Sequence, residues 1–82
     1  MKIRTKELGD KNIIGAQVTK YRKLKSMKQK DFISLLQLEG LDMNPTSASK
    51  LEGQTRQVID KEVLIISKAL GVPIANLFPN GF

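Results

Sequence analysis

Within one stretch of seven residues, Asn44-Pro45-Thr46-Ser47-Ala48-Ser49-Lys50, short hydroxyl side chains and one lysine stand at helical spacing. Hydroxyls donate and accept, and an ammonium only donates, so the chemistry on offer is recognition by hydrogen bonding rather than bond making. Thr46, Ser47 and Lys50 fall on the outward side of the helix this stretch predicts, with Ala48 and Leu51 inward. Tips of that kind can meet the edges of base pairs. A helix fits the major groove of double-stranded DNA, where each base pair shows its own donor and acceptor pattern. Taken alone, the same residues also suit the solvent side of any surface helix.

Catalysis is poorly provided for. The chain has no cysteine and no histidine, and its eight acidic residues are scattered without paired D-x-D spacing. It therefore lacks thiolate metal sites, disulfides and the side chain most used for general acid–base work. No metal, no cofactor and no enzymatic activity are expected.

Charge adds a second signal. The net charge is +6, and residues 1–30 carry ten Lys/Arg against two Asp/Glu, while residues 31–82 carry four against six. A basic half suits a polyanion such as nucleic acid, or simply a solvated surface, and charge alone does not separate these. Gln29 opens a predicted helix, where its amide and backbone N–H can meet a phosphate at the positive end of the helix dipole. It suits plain capping equally well. Lys28 and Lys30 flank it, and Asn44 and Arg56 are candidates for a second phosphate cluster.

These residues need rigid elements to hold them. With 82 residues there is room for one core and little else. Strand alternation is absent and helical periodicity recurs. Residues 1–11 show no apolar face and read as a flexible basic arm; residues 12–78 form the domain and 79–82 a tail. The first helix runs from an Asn12 cap to about Lys25, with Ile14, Val18 and Tyr21 inward. Ser26-Met27-Lys28-Gln29 has the form of a capping box and starts the second helix, which carries Phe32, Ile33, Leu35 and Leu36 and stops at Gly40. Asn44-Pro45 opens the third, closed by Gly53. Asp60 caps a fourth, with Val63, Ile66, Ser67 and Leu70 on one face and Gly71 at its end. Ile74 to Phe78 makes a fifth short helical turn. The fold class is all-α, five helices in a compact domain.

From Ile14 onward the chain resembles the lambda-repressor-like helix-turn-helix domains, also called the xenobiotic-response-element type. Four pieces match in order: Ile14-Gly15 through Arg22; Gln29 followed by Phe32-Ile33; Ser49-Lys50-Leu51-Glu52 with Arg56 behind it; and Ala69-Leu70-Gly71-Val72 through Leu77-Phe78. The resemblance covers about residues 12–78 and implies a helix-turn-helix in helices 2 and 3, helix 3 being the recognition helix. It also implies a structural salt bridge between Arg22 and Glu52. Arg22 lies about 40° from Val18 around its helix, and Glu52 shares a side with Ala48, so both charges border the core. Three departures stand out. Gln29 to Glu52 spans roughly five residues more than the usual arrangement, through a longer second helix or a looser connection before Asn44. Ile33 stands where alanine is usual. Gln54 stands where glycine is expected, leaving Gly53 to take the strained conformation.

The function implied is sequence-specific binding of double-stranded DNA by a transcriptional regulator, a repressor that occludes its operator as a dimer. Ile65 points about 200° away from Val63, and with Ala69 and Phe78 it offers an outer apolar face for that homodimer. An antitoxin or adaptor module, binding protein through the same fold, is the alternative. RNA binding finds less support, since Tyr21 is the only tyrosine and sits on an inner stripe. No apolar run approaches the roughly 18 residues of a membrane span and no signal peptide is evident. A cytoplasmic location, no membrane partner and no small-molecule effector are expected.

Overall fold

The computed structural model describes residues 11–79. Apart from Lys11 and Pro79, the expected arm (1–11) and tail (79–82) lie outside the described residues. Four α-helices follow one another: α1 (Gly15–Leu24), α2 (Gln29–Leu38), α3 (Pro45–Glu52) and α4 (Asp60–Leu70), and then a single 3₁₀ turn (Ile74–Leu77). The expected fifth helix is thus reduced to that turn. Pro73 bars extension backwards, and Pro79 holds the preceding Phe78 in extended backbone (φ −94°, ψ 144°), leaving room for only four residues.

One apolar centre holds the elements together. Val18 from α1, Phe32 and Leu36 from α2, Ala48 and Leu51 from α3, Ile66 and Leu70 from α4, and Leu77 from the 3₁₀ turn are fully or almost fully buried. α2 packs on α3 and α4, and α1 packs on α3, α4 and the 3₁₀ turn. Fully burying side chains of this size contributes about 1.5–3 kcal/mol each. Leu38 lies beyond this centre, 82% exposed.

All four helices end the same way. The N–H of Met27 donates to Arg22 C=O, Leu41 to Leu36, Thr55 to Lys50 and Val72 to Ser67, at 2.8–3.1 Å. Each time the preceding residue has left-handed backbone: Ser26 (φ 53°), Gly40 (φ 92°), Gln54 (φ 64°) and Gly71 (φ 67°). This is the Schellman termination, which satisfies carbonyls that the helix end would otherwise leave bare.

The repetition corrects two expectations. Ser26 does not open α2 with a capping box; it closes α1, and the N-cap of α2 is Lys28, whose side chain makes no capping bond. At the end of α3, Gly53 keeps an ordinary φ of −82° and Gln54 takes the left-handed position. A third correction falls on α4. Asp60 is its first residue, and the cap is Ile59, whose N–H donates to Glu62 Oε1 at 3.2 Å.

The extra length between Gln29 and Glu52 lies in the connection. α2 is ten residues long, and Glu39–Asn44 form the link to α3. That link is anchored: Met43 is buried in the core, and Gln37 Nε2 donates to its carbonyl at 3.0 Å.

Candidate nucleic-acid interface

Asn44 and Pro45 start α3 abruptly. The Asn44 side-chain oxygen accepts from the Ser47 N–H at 2.8 Å, and Pro45 at the first helical position has no N–H to leave unpaired. The outer surface of α3 then presents Thr46, Ser49 and Lys50, all exposed, while Ser47 is half-buried. Thr46 and Lys50, four residues apart, lie within about 40° of each other around the helix. Ser49 stands beside them, absent from the residues expected to face outward. Its i+3 spacing from Thr46 is the sequence signal that places it there.

α2 meets this surface at its first turn. Gln29 Nε2 lies 3.4 Å from Ser49 Oγ, a long hydrogen bond joining the start of α2 to the middle of α3. Lys28 and Lys30 flank Gln29 and are exposed. The structure therefore brings Gln29 at the start of α2 to Ser49 in the middle of α3, between Thr46 and Lys50 on one side and Lys28 and Lys30 in sequence on the other. Lys20, read as solvated, lies with its ammonium 5.5 Å from the centroid of the Tyr21 ring, at cation–π distance.

One ion pair fixes the end of α3 and a second the loop that follows it. Arg22 and Glu52 pair through two parallel bonds, Nε to Oε2 at 2.8 Å and Nη2 to Oε1 at 2.9 Å. Thr19 Oγ1 donates to the same carboxylate at 3.1 Å, and Arg22 Nη1 donates to Met27 C=O at 2.9 Å. The pair is nearly enclosed, with side chains 13% and 10% exposed. Arg22 thereby ties together α1, the turn leading into α2, and the end of α3.

The second pair is Arg56 with Glu62. Both terminal nitrogens of Arg56 donate to the carboxylate at 3.0 Å, and Nη1 also donates to Gln57 C=O at 3.1 Å. Hydrogen bonding to Arg56 holds the Glu62 carboxyl below the usual carboxylate range, against the opposing effect of burial, and the Ile59 N–H adds to the lowering. The same bond raises the Arg56 pKa. Arg56 was expected to meet a phosphate. Its fork is turned onto Glu62, which ties the loop after α3 to the first turn of α4.

Sequence reading gave Asn12 only a capping role, and the structure gives it a larger one. It is not itself the N-cap, which is Ile14; its Oδ1 accepts from the N–H groups of Ile14 (3.2 Å) and of Gly15 (2.8 Å), the first residue of α1. Its Nδ2 donates to Leu51 C=O (3.2 Å) and Arg56 C=O (2.8 Å), on either side of the turn that ends α3. Close by, Gly15 lets α1 and α3 touch. A Cβ there would fall on the Leu51 carbonyl oxygen and within 2.9 Å of that of Glu52.

The residues expected to form a dimer face are disposed differently. Ile65, Ala69 and Phe78 are half-buried and packed against the protein's own core, so Ile65 does not point away from it. The exposed apolar residues at this side of the chain are Leu64, 48% exposed, with Ile59 and Ile74. A shallow groove of about 260 Å³ opens between Lys11, Ile13, Val58, Val63 and Phe78. That is below the roughly 300–1,000 Å³ of ordinary ligand pockets. No helix among the described residues is long and apolar enough to cross a membrane.

No protein-family model matches the chain. No curated protein matches it either. Among solved structures it is similar to the restriction-modification controller protein C.AhdI from Aeromonas hydrophila, with a TM-score of 0.68 and 23% identity, over 79% of this chain and 91% of that one. The fold is lambda-repressor-like. α2 and α3 occupy the positions of the helix-turn-helix pair in that fold. The 23% identity extends to the fold and no further.

Proposed function

We propose that this protein is a sequence-specific, double-stranded DNA-binding regulator, acting as a repressor by covering an operator as a dimer inside the cell. The observation that carries the proposal is the exposed polar face of α3, Thr46, Ser49 and Lys50, beside the basic start of α2 on a lambda-repressor-like scaffold. Thr46, Ser47 and Lys50 would contact base edges. Gln29, Lys28 and Lys30 would hold phosphates, with Asn44 at the start of α3 beside them. Restriction-modification control in the structural neighbour supports the regulatory reading by analogy of fold.

The dimer reading rests on Leu64 of α4, exposed beside half-buried Ile65 and Ala69, and on geometry. One eight-residue recognition helix offers few base contacts. A two-fold pair would set two such helices about 34 Å apart on successive major-groove faces.

Binding titrations over a range of salt concentration separate the two sets of residues. Lys50→Ala should lose about 1–3 kcal/mol on a preferred duplex and relax the choice at particular base pairs. A Lys28→Ala/Lys30→Ala variant should weaken all duplexes alike and flatten the slope of log K against log salt by up to about two. Identical, uniform losses in both variants would show that α3 does not read bases.

A further inference from the structure

We infer that Asn12 is a positioning residue for the recognition helix, setting the seating of α3 against α1 and thereby the selectivity of the DNA contact. The inference rests on the DNA-binding reading above for its functional half and on geometry alone for its structural half.

A primary amide has two N–H donors and an oxygen with two acceptor sites. In Asn12 all four are engaged: the backbone N–H groups of Ile14 and Gly15, leading into α1, on the oxygen, and two carbonyls, of Leu51 and Arg56, on the nitrogen. Asn12 is 9% exposed, so these partners have little water to replace it. No other side chain does this work at the same size. Aspartate would turn a carboxylate oxygen toward two carbonyls, and serine would serve the N–H groups leading into α1 but not reach across. The two clasped carbonyls lie 39 and 44 residues from Asn12 along the chain, so the bonds made by its nitrogen set tertiary register, while those to its oxygen are local.

The neighbours reinforce this reading. Gln54 Nε2 donates to the Asn12 carbonyl at 3.3 Å, and the Lys11 N–H donates to the Gln54 carbonyl at 3.0 Å. Gln54 is the residue held left-handed at the end of α3, so the clasp grips α3 where its backbone is least relaxed. Arg22 holds the same helix through Glu52, from the opposite end of α1. The two anchors, spaced along α1, meet α3 at its adjacent last residues Leu51 and Glu52 and so set where that end of the helix sits against α1. Contacts to base edges tolerate displacements well under an ångström, whereas phosphate contacts on flexible lysines tolerate more. A loosened Asn12 clasp therefore degrades selectivity before it degrades affinity for DNA in general.

The test uses the full chain and Asn12→Ser, which keeps an oxygen for the N–H groups leading into α1, with Asn12→Asp as the variant that keeps the shape. Two readouts are taken: amide hydrogen exchange, and the ratio of affinities for a selected duplex and a random one. Exchange at the Gln54 and Thr55 amides should quicken by about tenfold in Asn12→Ser while that of Leu36 in α2 changes by less than about threefold. The affinity ratio should fall by about tenfold, with binding to random duplex nearly unchanged. Asn12→Asp should show both effects at least as strongly. Uniform acceleration of all amides with an unaltered affinity ratio would make Asn12 a general stability residue and overturn the inference. If the wild-type protein selects no duplex, the DNA reading fails, and the exchange pattern then decides the clasp by itself.

Discussion

At the scale of single residues, two ion pairs hold backbone segments in place. The Arg22–Glu52 pair is the clearest case, because its carboxylate takes bonds from Arg22 and Thr19 in a nearly enclosed position. Removing one partner of such a pair costs more than the pair itself contributes, since the other charge is left stranded. Arg22→Ala should lower stability by about 3 kcal/mol, measured by urea unfolding. Glu52→Gln in the Arg22→Ala background should then cost much less than it does alone. Additive losses would mean that the two charges act independently. Glu62 makes a prediction about pH. Its folded pKa lies below its unfolded value, so its stabilisation is fully present above about pH 4.3 and is lost as pH falls through the lower folded value. The raised Arg56 pKa has no consequence at neutral pH, since arginine is charged throughout. Glu62→Gln should therefore flatten the acid side of the stability profile and leave the alkaline side unchanged. A variant with the wild-type acid limb would remove Glu62 from the account.

At the scale of elements, the shared helix ending explains both what the sequence disclosed and what it hid. Gly40 and Gly71 mark the ends of α2 and α4 openly, because glycine is the residue that adopts positive φ without strain. Ser26 and Gln54 do the same work without the glycine signature. Ser26 followed by Gln29 therefore looked like a helix start, and Gly53 looked like the strained residue. Replacing Ser26, which is exposed, with glycine should raise stability by about 0.5–1 kcal/mol, read from the urea midpoint. A loss of stability would indicate that the serine side chain has a role beyond its backbone. The order of the helices, the Asn44-Pro45 start of α3 and most of the core were legible from apolar spacing, since burial follows helical period directly. The Asn12 clasp was not. Its partners are backbone carbonyls, which have no side-chain identity for a sequence to display. Ile65 was misplaced for a related reason: an angle around one helix gives a direction but not how far neighbouring segments wrap, and the core reaches round to it.

At the scale of the whole molecule, the proposed function unites the outer polar face of α3 and the basic start of α2 in one DNA-binding face. It adds a two-fold partner at the Leu64 side of α4. These claims meet in the sequence the protein would choose, because a two-fold protein imposes its symmetry on its site. The most direct measurement is therefore selection of bound duplexes from a random pool by the wild-type protein at near-physiological salt. The account predicts enrichment of one motif made of two inverted half-sites, centred about 10 base pairs apart. Enrichment of a single unsymmetrical half-site would contradict the dimer while leaving base recognition by α3 standing. A bound pool with no preferred sequence would contradict the central claim itself.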